Sequence, residues 1–208
     1  MTQNEKENPT SEHMADVIDF NEKKEKSNIH VEEGIKWLRQ AALAGDNGAM
    51  NELAFQLLTG KLVKQDAEEG EKWLRKSADT GDRWAMMELG YRLLVGEDLD
   101  KNQAEGEKWI RRSAELEYPM AMRVLGYRLL EGLDIEKNVE EGEYWLRKAA
   151  DVHEPIAMRI LGYRLLTGKH ELKQNVMEGE KWLQKAAEAG ETIAMREWGK
   201  YLIHGVIK

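Results

Sequence analysis

The sequence predicts an all-α repeat protein of about five helix–turn–helix units, each 36 residues long. Three recurrences carry that expectation. Trp37, Trp73, Trp109 and Trp145 stand 36 residues apart, and Trp182 follows after 37. Ala-Met pairs keep the same step at Ala49-Met50, Ala85-Met86, Ala121-Met122, Ala157-Met158 and Ala194-Met195. Glycines keep it twice, at Gly60, Gly96, Gly132, Gly168 and Gly205 and again at Gly34, Gly70, Gly106, Gly142 and Gly179. A fixed period of this size means that each unit is one supersecondary element stacked on its neighbours. The one extra residue lies between Gly168 and Asn175, where a loop absorbs it.

Each unit has two helical halves. In the leading half, represented by Ala121 to Gly132, an advance of about 100° per residue puts Ala121, Met122, Gly126, Leu129 and Leu130 in one half-circle around Leu125. So wide an apolar arc packs on two neighbours rather than one. The methionine column Met50, Met86, Met122, Met158 and Met195 falls inside it. In the trailing half, represented by Glu69 to Ala78, Gly70, Trp73, Leu74, Ser77 and Ala78 share a face, and Glu71, Lys72, Arg75 and Lys76 turn away. The repeat tryptophans are thereby expected in the core, and the unrepeated Trp84 at the mouth of its helix. Glycine inside a helix costs about 1 kcal/mol against alanine, so its return at the Gly70 position points to another backbone close by.

Boundary signals agree. Asp66, Asn102, Asn138 and Asn175 each precede a glutamate by three residues, the arrangement of a capping box. Gly45, Gly81 and Gly190 follow trailing helices, where a left-handed cap needs no Cβ. Glu117 and His153 replace that glycine in two units, and Pro119 and Pro155 then suit the first turn of the next helix. Residues 1–10 read as a disordered tail. Residues 11–30 read as a degenerate capping helix, Ser11 to Asn21, and a loop, and 11–208 as a single repeat domain closed by a leading helix at Thr192 to His204.

Composition narrows the function. Apolar residues make up 41%, charged residues 34% and aromatic residues 7%, which suits a thin, extended core. Cysteine is absent, which excludes disulfides, thiolate metal sites and thiol nucleophiles. A net charge of −8 disfavours nucleic acid and anionic membranes as partners. No apolar run approaches the ~20 residues that span a bilayer, and no signal-peptide core is evident, so a cytoplasmic location is expected. Nucleotide-binding, zinc-protease and serine-hydrolase motifs are missing. His13, His30, His153, His170 and His204 occupy different repeat phases and form no ligand spacing. A non-catalytic protein without cofactor or metal is the expectation.

The motifs Leu125-Gly126…Gly132 and Trp145-Leu146-Arg147-Lys148-Ala149-Ala150 resemble the Sel-one-like repeat family, which is related to the tetratricopeptide repeats. The resemblance covers roughly residues 28–208. It departs from the family pattern at Leu93, Leu129 and Leu165, where tyrosine is usual, and at Gly70 and its equivalents, where alanine is usual. It implies a right-handed α-solenoid superhelix, with the leading helices lining a concave groove that holds partner segments. Among cellular uses it allows an adaptor in an assembly or the neutralising partner of a bacterial toxin.

One repeated pattern on the leading helices is a candidate site. Phe55, Tyr91, Tyr127 and Tyr163 centre a narrow exposed arc. Gln56, Arg92, Arg128 and Arg164 flank them on one side, and Asn51, Met87, Arg123, Arg159 and Arg196 on the other. Arg123 and Arg159 stand four residues before Tyr127 and Tyr163, so each guanidinium can lie over a ring. Tyr and Arg dominate binding hot spots, and the excess of arginine selects an acidic or extended segment of a partner protein, with Trp84 as a further anchor. The same ladder also has a purely structural reading, with tyrosine packing across the unit junction and arginine paired to Glu88 or Glu131. Two other functions stay open: an enzyme or ligand-binding protein for a cell-wall-type substrate, and RNA binding through the Arg/Tyr face. Arg111 and Arg147 are expected on the opposite, solvated face.

Overall fold

The computed structural model describes residues 29–168 and 172–205. The expected tail, the capping helix at Ser11 to Asn21 and the loop up to Ser27 lie outside the described residues. Among the described residues there are ten helices and no strand: α1 (29–43), α2 (Asn47–Thr59), α3 (Ala67–Asp79), α4 (Arg83–Val95), α5 (Gln103–Glu115), α6 (Pro119–Glu131), α7 (Val139–Asp151), α8 (Pro155–Thr167), α9 (Val176–Glu188) and α10 (Thr192–His204). None is long and apolar enough to cross a membrane. Even-numbered helices are the leading halves of the sequence repeat, and odd-numbered helices the trailing halves. The chain divides into two compact units, residues 1–70 and 71–208.

In the first unit, α2 buries Met50, Leu53, Ala54, Leu57 and Leu58. Asp46 caps α2 by accepting the Ala49 N–H at 2.6 Å. Asp66 accepts the Glu69 N–H at 2.9 Å, as the capping signal requires. Glu69 in turn receives the Arg39 guanidinium on both oxygens.

In the second unit, α4, α6 and α8 share their largest interfaces with the trailing helices that follow them, α5, α7 and α9. Each trailing helix then meets the next leading one. The wide apolar arc is fully used: Ala121, Met122, Leu125, Gly126, Leu129 and Leu130 of α6 are all buried. On α7 the buried set is Gly142, Trp145, Leu146, Ala149 and Ala150. Ser113, a small core-facing residue by its repeat position, is buried and donates to the Arg83 carbonyl at 2.6 Å.

Helix pairs touch backbone to backbone at their glycines. A Cβ on Gly126 would lie 2.8 Å from the Gly142 carbonyl oxygen, and one on Gly142 2.8 Å from that of Gly126. Gly90 and Gly106 approach at 2.6 and 2.7 Å by the same measure, and Gly162 and Gly179 at 3.0 and 2.9 Å. The close approach inferred from repetition is therefore present at Gly106, Gly142 and Gly179, where its other half is the leading-helix glycine; Gly70 meets Leu58 instead, and a Cβ on Gly34 would meet nothing within 4 Å among the described residues.

Three placements differ from expectation. Trp73, Trp109 and Trp182 are half-buried and Trp37 is exposed, so the repeat tryptophan is not generally a core residue; only Trp145 is buried. Trp109, Trp145 and Trp182 each donate the indole N–H to a carboxylate four residues back: Trp109 to Glu105 at 3.3 Å, Trp145 to Glu141 and Trp182 to Glu178 at 3.2 Å. Trp84 stands at the mouth of α4 as expected but is half-buried against the core rather than exposed as an anchor. Met87 is buried rather than part of an exposed arc, whereas Met195, on α10, is exposed because no helix among the described residues follows to cover it.

The turns follow their residues. Gly81 and Gly190 carry φ of 101° and 88°, and Glu117 and His153 hold the same left-handed region at 58° and 66°. Pro119 and Pro155 open α6 and α8. Two stability tests follow from this packing. Gly142→Ala should lower stability by about 1–3 kcal/mol, because the neighbouring backbone cannot retreat; Gly199→Ala, where a Cβ meets nothing within 4 Å, should not. Glu117→Gly and His153→Gly should each raise stability by about 0.5–1 kcal/mol by removing a Cβ from the left-handed region. Urea denaturation reads both pairs.

Candidate functional site

Each of α4, α6 and α8 carries a Tyr-Arg pair just after its packing glycine: Tyr91-Arg92, Tyr127-Arg128 and Tyr163-Arg164. Consecutive residues diverge by about 100° around a helix, so one side chain faces out while the next turns toward an adjacent helix. Tyr91 and Tyr127 are 40% and 38% exposed, and Tyr163 is half-buried. The arginines do not share that exposure. Arg128 is 8% exposed and Arg164 only 4%, and Arg92 is half-buried.

Arg128 and Arg164 lie over the tyrosines of the preceding repeat. The Arg128 guanidinium sits 5.1 Å from the Tyr91 ring centre, and that of Arg164 5.8 Å from Tyr127. Stacking therefore links neighbouring helices. The expected pairing within one helix is replaced, because Arg123 and Arg159 turn to the caps of the next leading helices. Arg123 Nε lies 3.3 Å from Glu154, whose other oxygen accepts the Ala157 N–H at 2.5 Å. Arg159 Nε lies 3.2 Å from Glu191, which caps α10 through the Ala194 N–H at 2.5 Å. Arg196 is exposed and approaches Glu197 at 3.2 Å.

The Tyr-Arg arginines also carry ion pairs. Arg92 donates to Glu88 at 2.7 Å and to Asp98. Arg128 donates to Asp134 at 2.7 Å, and Lys101 reaches the same carboxylate at 2.8 Å. Lys101 first, and Arg128 after it, hold the Asp134 carboxyl below the usual aspartate range. Arg164 instead donates to Glu131 on α6. Between α6 and α8 lies an open cavity of about 440 Å³, lined by Tyr127, Glu131, Leu133, Arg159, Ile160, Tyr163 and Arg164.

The trailing helices bear a second charged array. Arg75, Arg111 and Arg147 each donate to the glutamate three residues into the next trailing helix: Glu105, Glu141 and Glu178. Each also holds the glutamate four residues before it, at 2.7 to 2.8 Å. The receiving carboxylate takes the indole N–H described above and the side-chain amide of its cap, as from Asn102 to Glu105 at 3.1 Å. Glu141 shows the node whole: arginine, tryptophan and asparagine converge on it. Arg111 and Arg147 are therefore clasps between repeats rather than solvated surface charges. Repeat phase alone could not show this, because the partners lie 30 or 31 residues away.

The arginine hydrogen bonds hold Glu105, Glu141 and Glu178 below the ordinary glutamate range, against the opposing effect of burial and with help from the indole. A carboxylate depressed in the folded state contributes stability that is complete above its unfolded pKa of about 4.3 and is lost as pH falls through the lower folded value. The melting temperature should therefore hold between pH 7 and about 5 and drop below about pH 4.5. Glu141→Gln should lower the melting temperature at pH 7 and make the acid drop shallower. An unchanged acid drop would show that the node does not control it.

This is an all-α repeat fold whose structured features are interfaces between repeats and one side-chain-lined face. The chain belongs to the Sel1 repeat family, whose profile matches residues 31–46, 48–82, 85–118, 119–152 and 155–191. Sel1 repeat proteins generally mediate protein–protein interaction. A Sel1 repeat protein from Oxalobacter formigenes is 27% identical, with a TM-score of 0.76 over 85% of this chain and 72% of that one. The protective antigen c5321 of uropathogenic Escherichia coli, which displays the same fold, is 25% identical with a TM-score of 0.74, over 83% of this chain and 37% of that longer one. The immunity protein Pa5087 from Pseudomonas aeruginosa shares the fold at 21% identity and a TM-score of 0.52, over 77% of this chain and 59% of that one. No curated protein matches in sequence.

Proposed function

We propose that this protein is a non-catalytic interaction module that holds an extended, acidic segment of a partner protein along the leading helices α4, α6 and α8. The observation that carries the reading is the row of tyrosines. Tyr91 and Tyr127 keep large exposed rings, each backed by an arginine from the next repeat that fixes its orientation. Tyrosine offers broad contact area with few rotors to freeze, and a ring already held by a cation loses less on binding. The arginines contribute polarity behind the rings, Arg123 and Arg159 lie on two of the same helices, α6 and α8, and Arg196 lies on α10. Because most of these cations are already engaged with carboxylates, the face is poorly supplied with free charge for a phosphate backbone, which weighs against RNA. Neutralising a toxin, as the name of the Pseudomonas relative suggests for that protein, is one use of such a face.

A photo-crosslinking residue at Tyr127 in the native cell, followed by mass spectrometry, identifies the partner. Tyr127→Ala with Tyr163→Ala should then weaken binding about tenfold or more, roughly 1.4 kcal/mol, with helicity unchanged. Lys108→Glu with Lys181→Glu, on exposed positions of trailing helices, is the control that should leave binding intact. Arg111 and Arg147 cannot serve as that control, since reversing them breaks the clasps. Full affinity in the tyrosine double variant would sink the proposal.

A further inference from the structure

We infer that the cavity between α6 and α8 is a subsite for one glutamate side chain of the bound segment, with its carboxylate received by Arg164. This deepens the reading above and rests on it only in needing a segment on this face.

The argument begins with a break in the repeat. A guanidinium has five N–H donors and seeks acceptors for them when buried. Arg92 and Arg128 each find an aspartate six residues on, Asp98 and Asp134. At the same distance beyond Arg164 the sequence has His170, which lies outside the described residues. Arg164 reaches back instead to Glu131, a position held by Val95 and Thr167 in the adjacent units. The exchange leaves the guanidinium incomplete: Arg164 Nη1 is enclosed and has no hydrogen-bond partner among the described residues. An enclosed donor without an acceptor is costly, and natural proteins rarely keep one idle.

The walls say what would complete it. Tyr127, Tyr163, Leu133 and Ile160 offer apolar and aromatic surface, and the charged lining is Arg159, paired with Glu191 outside the cavity, and Arg164, paired with Glu131 in its wall. The volume of about 440 Å³ falls within the range of small ligand sites. The fitting group therefore has an apolar stem and a terminal acceptor. A carboxylate makes the stronger, charge-assisted bond to guanidinium, and glutamate carries one methylene more than aspartate to span the lining. Glutamine has the same shape without the charge, so it separates the electrostatic from the steric part.

The probes are the peptides Ac-Ala-Ala-Glu-Ala-Ala-NH2 and its Gln counterpart, titrated into the whole chain by NMR at low salt. The Glu peptide should shift resonances of residues 159–164 saturably, and the Gln peptide should bind about fivefold more weakly or worse. Glu131→Gln should tighten the Glu peptide, because the competing internal carboxylate is gone, and it spares the buried arginine whose removal risks the fold. Equal binding of the two peptides, no saturable shift up to about 10 mM, or weaker Glu binding in Glu131→Gln would overturn the subsite. If that happens while the tyrosine double variant still loses the native partner, the interaction face stands without this pocket. If the peptide result holds while the tyrosine variant keeps its partner, the pocket stands and the interaction face falls.

Discussion

The contact between two glycine backbones inside each helix pair governs the rest of residues 71–208. Helices carrying ordinary side chains cross at 8–10 Å. With Gly126 on Gly142, or Gly90 on Gly106, no side chain separates the axes at the crossing, and Leu94 and Leu130 close over the trailing-helix glycines. That approach fixes how far each trailing helix stands from its partner, and so where the start of the next trailing helix falls. Only with this spacing do Arg111 and Arg147 meet Glu141 and Glu178. The hydrogen-bonded nodes are thus a consequence of the glycine crossings, and they lock the arrangement that the crossings permit.

Much of this was legible in the sequence because it is local or periodic. The repeat, the helix boundaries, the asparagine caps and the glycine approach follow from spacing and from the chemistry of single residues. The orientations of the arginines were not legible. Periodicity gives the phase of Arg128 on its helix but not the identity of the side chain opposite, and Tyr91 lies 37 residues away with a helix between. Tyr127 and Arg128 read as one exposed patch because both sit near the edge of the apolar arc. In the structure that edge separates an outward ring from an inward cation. Tryptophan misled for a related reason. Its large apolar ring suggested a core position, which Trp145 alone takes, whereas Trp109 and Trp182 stand at the rim with the indole N–H on Glu105 and Glu178.

The two charged arrays also change what the net charge of −8 means. Much of the arginine and glutamate content is spent between repeats, where partly buried pairs fix register as much as they add stability. The surface left for a partner is correspondingly selective. On the proposed reading it consists of tyrosine rings whose electrostatic character comes from the cations behind them, together with Arg164.

The turns into the leading helices are not alike, and the difference bears on recognition. α4 and α10 are entered through Gly81 and Gly190, residues with wide torsional freedom. α6 and α8 are entered through Glu117 and His153, each followed two residues later by a proline that fixes a further torsion. The two helices that carry Tyr127, Tyr163 and the cavity are therefore presented by the stiffest connections in the array. On the proposed reading, little conformational entropy remains to be surrendered there when a partner settles, so the left-handed strain in those two turns is repaid as a surface already shaped before the encounter.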